Sequence, residues 1–159
     1  MPANQKEFSI NDAVDFLTKG LRQQASKPNI FGYAPHEKQQ LFHQSQKKGR
    51  LYIGGNRSGK SYGSVAEDVW WLTGRHPYRP MPETPIRGRI VAVDFIQGVE
   101  KIIMPILKGL LPPSDLVNGS WEDSYSRVFR TLTLNNGSTL EFMSYEQETE
   151  KFAGTSRHF

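Results

Sequence analysis

Eight consecutive residues, Gly54-Gly55-Asn56-Arg57-Ser58-Gly59-Lys60-Ser61, satisfy the spacing G-x-x-x-x-G-K-[ST] at every fixed position. The chemistry this suits is the holding of phosphate groups, and each fixed residue has a physical reason. Gly54 and Gly59 open backbone angles closed to other residues, so that successive amides can point into one concavity. Lys60 is long enough to reach β- and γ-phosphates, and the Ser61 hydroxyl can ligate Mg²⁺. A helix starting at Lys60 would add its unpaired first-turn amides and the positive end of its dipole. An apolar stretch, "RLYI", precedes the loop and a helical pattern follows it, as a phosphate loop requires.

Such a loop works with a second carboxylate, at the end of an apolar strand, that holds the metal through water. "RIVAVD" ends in Asp94 and offers itself for that role. Phe95 follows it, where water-activating ATPases carry a glutamate. Asp94 also lies only 34 residues past Lys60, on the first strand after the loop's helix. In the additional-strand class of P-loop ATPases the metal-holding aspartate comes one strand later, so Asp94 reads instead as a strand-end or helix-capping residue. Downstream, as far as "KFAGTSRHF", no strand of four apolar residues leads into Asp-Glu. The sequence is therefore expected to hold the binding half of an ATPase without its catalytic base.

The elements that must position these residues are legible from hydrophobic period and punctuation. Ile10, Ala13, Val14, Leu17 and Leu21 recur at helical spacing over residues 9–26. A Pro/Gly-punctuated link, 26–35, leads to a short helix over 36–48 with Leu41 and Phe42 turned inward. Residues 50–53 read as a strand, and 60–74 as a helix closed by Gly74, with Trp70 and Trp71 as core residues. After the Pro-rich loop 77–85 come a strand at 89–93 and a helix over 96–110, bent at Pro105. Strands at 127–134 and 138–145 flank "NNG", a hairpin signal. Alternating strands and helices argue a three-layer α/β domain, with the hairpin as an insertion or edge.

Composition removes several classes. Hydrophobic residues at 36% and charged residues at 23% argue against disorder. No apolar run approaches the roughly 20 residues of a membrane span. The N-terminus lacks a signal layout, and the absence of cysteine removes disulfides and thiolate metal sites, making an intracellular setting the expectation. The four histidines, His36, His43, His76 and His158, have no metal-ligand spacing. A net charge of +4 tolerates a polyanionic partner without identifying one.

"YAPHEKQQLFHQSQKKGRLYIGGNRSGKSYGSVAEDVWWLTGRHPY", together with "KFAGTSRHF", resembles the N-terminal ATPase segment of the large terminase subunit of tailed bacteriophages. That subunit is the motor that packages viral DNA. The resemblance covers roughly residues 30–159 and is most specific between 33 and 79. It implies a P-loop NTPase three-layer sandwich of the additional-strand class, incomplete because truncated before the Walker B strand. Residues 1–30 would be an N-terminal helical extension and residues 31–159 a partial P-loop ATPase domain. The implied cofactors are ATP and Mg²⁺, with Gly54, Gly55, Asn56, Arg57, Ser58, Gly59, Lys60 and Ser61 around the phosphates and Ser61 on the metal. Arg57 would sense or stabilise the γ-phosphate. Gln39, 15 residues before Gly54, resembles an adenine-recognising glutamine, with Tyr33 to stack on the base and Pro35 to fix the turn. Arg157 is the candidate for an arginine inserted into a neighbouring subunit's site, which with Lys60 and Arg57 completes the catalytic set.

The implied partners are double-stranded viral DNA, a portal protein, a small terminase subunit and further copies in a homo-oligomeric ring. The setting would be the host cytoplasm at the procapsid portal, away from membranes. DNA would be gripped by its phosphate backbone, with Lys47, Lys48 and Arg50 as possible contributors beside a plain solvated-charge role. Nothing matches the family's C-terminal nuclease. A helicase-type translocase, a small-molecule kinase and a nucleotide-binding assembly module without turnover stay open as alternatives. A sheet cut before its central strand is also expected to leave an exposed edge and to favour self-association.

Overall fold

A computed structural model describes residues 29–145 and 157–159. The helix expected over residues 9–26 lies outside these, as do most of residues 1–30.

Helix α1 (Glu37–Gln44) begins with a reciprocal cap. The His36 ring accepts from Gln39 N–H, and the Gln39 side-chain oxygen accepts from His36 N–H at 3.0 Å. It stops four residues short of the expected end. Leu41, expected inside, is 64% exposed, and α1 buries Gln39 and His43 instead. The inward face is polar because it must bond to what lies beneath, as described below.

Helix α2 (Lys60–Thr73) begins where Gly59 sits at φ 77° and ends at Gly74, whose N–H reaches the carbonyls of Trp70 and Trp71. Val65, Ala66, Val69 and Leu72 form its buried stripe and pack with Leu107 and Leu110 of α3 (Met104–Leu110). Ahead of α3, residues Phe95–Ile103 are wound as a π-helix, capped by Asp94, whose carboxylate accepts from Gln97 N–H. Pro105, where the sequence predicts a bend, lies one residue past the change of winding from π-helix to α-helix at Met104.

The sheet has four strands, β1 (Arg87–Ala92), β2 (Tyr125–Ser126), β3 (Thr131–Thr133) and β4 (Thr139–Ser144), in the order β1-β4-β3-β2. A one-turn helix, α4 (Trp121–Ser124), leads into β2. β1 and β4 run parallel from Arg87 opposite Thr139 to Ala92 opposite Ser144, and the other pairs are antiparallel. The molecule is thus a mixed α/β fold on a mixed sheet. Asn135-Asn136-Gly137 joins β3 to β4 as the sequence predicts. β3 starts at 131 rather than 127, since Arg127–Arg130 form a turn with Arg130 at φ 49°. Leu132, Leu140 and Phe142 carry the sheet's share of the core.

One expectation needs correcting. Residues 50–53 form no strand, and Leu51 and Ile53 are 83% and 80% exposed. Apolar character alone does not make a strand without a neighbouring backbone to pair with. Residues 157–159 lie along the edge of β1 opposite β4. His158 N–H donates to Arg87 O at 2.8 Å and Arg89 N–H to Phe159 O at 3.0 Å.

Candidate functional site

The loop from Gly54 to Ser61 folds around the start of α2. Lys60 Nζ turns back over it and donates to the carbonyls of Gly54 and Gly55, each at 2.6 Å, with Ser58 Oγ at 3.5 Å. The lysine's charge is thereby fixed at the mouth of the loop. The backbone turns at Arg57 (φ 62°) and again at Gly59, and the residues from Gly54 to Arg57 are exposed. Ser61 stands exposed in the first turn of α2. The concavity is tight. A Cβ on Gly54 would lie 2.7 Å from Ser58 Oγ, so a side chain there would collide with the loop itself.

α1 braces the loop from outside. Gln39 Nε2 donates to Gly59 O at 3.0 Å, and His36 Nε2 lies 3.2 Å from Ser58 O. Gln39 is only 4% exposed, and both ends of its amide are bonded within the protein. Tyr33 is likewise engaged. Its hydroxyl lies 2.9 Å from His43 Nε2, and its ring packs between Tyr62 and Trp70. Burial, followed by neighbouring negative groups, pushes the Tyr33 phenol above its usual range. On its outer side Tyr33 borders an open cleft of about 300 Å³ lined also by Phe31, Pro35, Arg75 and Tyr78.

Beneath the brace lies a polar cluster that the sequence reading missed. Glu67, in the middle of the buried stripe of α2, accepts from His43 Nδ1 at 2.6 Å, Arg50 Nη2 at 2.5 Å and His76 Nε2 at 3.2 Å. Burial alone would raise the Glu67 carboxyl, but hydrogen bonds from His43, His76 and Arg50 outweigh it and hold the group below the usual carboxylate range. This cluster is why the inner face of α1 is polar. It also takes Arg50 away from solvent, Arg50 donating to Phe42 O at 2.9 Å as well, whereas Lys47 and Lys48 are exposed. The available signal was a carboxylate inside "VAEDVWWL", since a charge on an apolar helix face must find donors.

Arg157 is held on the sheet. Its Nη2 donates to Glu141 Oε2 at 2.6 Å, and Arg89 Nε bonds to the same oxygen at 2.9 Å. Burial opposes ionisation of Glu141, but hydrogen bonds from Arg157 and Arg89 lower it overall. Among the described residues no group of three or more His, Asp or Glu could hold a metal ion, and no helix is long and apolar enough to cross a membrane.

A glycine-rich loop with a lysine over its mouth leads into a helix beside a mixed sheet. Solved structures share this fold. The chain is similar to the large terminase ATPase domain of Thermus phage P74-26, with a TM-score of 0.59 and 20% identity over 80% of this chain and 52% of that one. An arginine-to-alanine variant of the same domain gives a TM-score of 0.58 and 22% identity over the same shares. The chain spans about half the length of the domains it matches. No family model and no curated protein matches the sequence.

Proposed function

We propose that the chain is the ATP-binding part of a viral DNA-packaging motor, in which ATP hydrolysis drives double-stranded DNA into a procapsid. The observation that carries this reading is the Lys60 ammonium poised over a glycine cradle at the head of α2, in a fold like that of a terminase ATPase domain. The residues present fit a nucleoside triphosphate. Lys60 would exchange its two carbonyl partners for phosphate oxygens, and the amides from Gly55 to Ser61 would ring the same charge. Arg57, exposed at the loop's turn, would extend to a terminal phosphate. Mg²⁺, held through the Ser61 hydroxyl, would neutralise charge on the phosphates. Arg157 would serve a neighbouring copy's site and must leave Glu141 to do so. Such a motor works as a homo-oligomeric ring with a portal protein and a small terminase subunit, in the host cytoplasm at the procapsid.

The test is titration calorimetry with ATP and Mg²⁺ on this chain and on Lys60→Ala, with phosphate release followed in parallel. A hydrogen bond to a charged group contributes about 1.5–3 kcal/mol, so Lys60→Ala should weaken binding by roughly 10- to 100-fold. Equal affinity in the two proteins would refute the reading. Binding with no phosphate release would fit a chain that lacks its catalytic carboxylate, or an assembly module without turnover. Phosphate release by the unsubstituted chain would place a catalytic base within these residues.

A further inference from the structure

We infer that Gln39 and His36 are positioning residues of the phosphate loop, aiming its amides, and that the Gln39 side chain does not read the base. The inference rests on the phosphate-loop reading above. Gly59 O accepts two donors, Gly63 N–H at 2.9 Å from the first turn of α2 and Gln39 Nε2 at 3.0 Å from α1. The preceding carbonyl, Ser58 O, accepts from His36 Nε2 at 3.2 Å. Two successive peptide groups are therefore pinned by their oxygens on the α1 side. In a trans peptide the N–H points opposite to the C=O, so the same bonds turn the N–H groups of Gly59 and Lys60 away from α1. Those are amides that a phosphate in the loop would need.

Sterics support this arrangement. A Cβ on Gly59 would come within 2.8 Å of Gln39 Nε2, and one on Gly63 within 3.3 Å of the same atom. The Gln39 side chain thus lies across both glycines, so that a Cβ at Gly59 would collide with it and one at Gly63 would crowd it. Gln39 is also locked at its other end, since its Oε1 accepts from His36 N–H while the His36 ring accepts from Gln39 N–H. With His36 Nδ1 as an acceptor, Nε2 carries the proton that reaches Ser58 O. The two side chains form one latch between the cap of α1 and the turn that opens α2. At 4% exposure, with its oxygen and one N–H already bonded inside the protein, this amide is turned away from a base.

The test compares ATP, GTP and inorganic tripolyphosphate, each with Mg²⁺, on the 159-residue chain and two variants. Gln39→Met keeps length and packing across Gly63 but removes both hydrogen bonds. His36→Asn keeps a good helix cap but is too short to reach Ser58. The latch predicts that Gln39→Met weakens all three ligands by the same factor, roughly three- to tenfold, and leaves the ATP to GTP ratio unchanged. His36→Asn should do the same more mildly. Hydrogen exchange gives a readout that general destabilisation would not mimic. In Gln39→Met, amides of residues 57–61 should exchange faster while those of Val69 and Leu72 keep their protection. A loss confined to ATP, with GTP and tripolyphosphate unaffected, would mean that the amide reads adenine and would overturn the inference. Unchanged binding of all three, or faster exchange throughout α2, would overturn it too. If the unsubstituted chain and Lys60→Ala alike bind none of the three, the phosphate-loop reading falls and the latch with it.

Discussion

Residues 50–53 and 89–92 read almost alike, Arg-Leu-Tyr-Ile against Arg-Ile-Val-Ala, yet they end in different structures. The second belongs to β1 and is bonded along β4 by a continuous parallel register. The first pairs with no strand among the described residues and leaves Leu51 and Ile53 open to solvent. What holds it is side chains. Arg50 reaches Glu67 and the Phe42 carbonyl, and Tyr52 stacks on Phe42 with ring centroids 5.0 Å apart. A backbone ladder fixes one stretch and a buried ion cluster the other, and the glycine-rich loop from Gly54 to Ser61 hangs from the second kind.

The sharpest way to break this comparison is to remove the carboxylate at the centre of the cluster. Glu67→Ala leaves His43, Arg50 and His76 facing a buried gap, and losing one partner of a buried charge cluster costs about 3–5 kcal/mol. The matching change on the sheet, Glu141→Ala, removes a carboxylate that is 29% exposed and shared by Arg89 and Arg157, where solvent screening keeps the expected cost to about 1 kcal/mol. Urea unfolding of the two variants should separate clearly. Equal losses would mean that Glu67 is far less buried in solution than its surroundings imply.

A second contrast sets the ladder's own core against the unpaired stretch. Leu140→Ala, at a fully buried position of β4, should cost about 2–5 kcal/mol in the same assay. The sheet's stability comes from this packing more than from its ion pairs. A cost under about 1 kcal/mol would show that the β4 core closes over the gap.

Acid should weaken the cluster before it weakens the core. Both Glu67 and Glu141 titrate below their ordinary value of about 4.5 in the fold. The unfolded chain therefore binds more protons as the pH falls through that value. The stability these groups contribute is complete above it and is lost progressively on further acidification. Glu67→Gln should flatten the acid limb of a pH series of unfolding midpoints. An unchanged acid limb would assign the loss to other carboxylates.

The contrast also explains what could be read in the sequence. The start of α2 after the glycine-rich loop, its Gly74 stop, β1 and the Asn-Asn-Gly hairpin all rest on local rules, and local rules are written in adjacent residues. Asp94 as a helix cap was legible for the same reason. The inner face of α1 was not, because Leu41 and Phe42 supply an apolar signal while Gln39 and His43 are buried for partners 20 and 24 residues away. The strand expected at 50–53 failed similarly, since pairing depends on a neighbour that the stretch itself does not specify. Gln39 illustrates the limit at the site. Its type and spacing suit base recognition, while its contacts with His36, Gly59 and Gly63 depend on partners that the spacing does not specify.

The smallest expected effect is the most direct probe of the unpaired stretch. Ile53 is 80% exposed, so Ile53→Ser removes almost no buried surface and should change the unfolding free energy by less than about 0.5 kcal/mol. Its effect should appear in association instead. Leu51 and Ile53 present apolar side chains beside a backbone that has no strand partner among the described residues, the arrangement that favours edge-to-edge contact between copies. Sedimentation velocity across a concentration series should show less self-association for Ile53→Ser than for the unsubstituted chain. A loss of more than about 1 kcal/mol would contradict the exposed position, because a serine can cost that much only where the isoleucine was packed. The stretch would then be covered in solution, and the difference between residues 50–53 and β1 would lie in which surface covers each, not in whether one does.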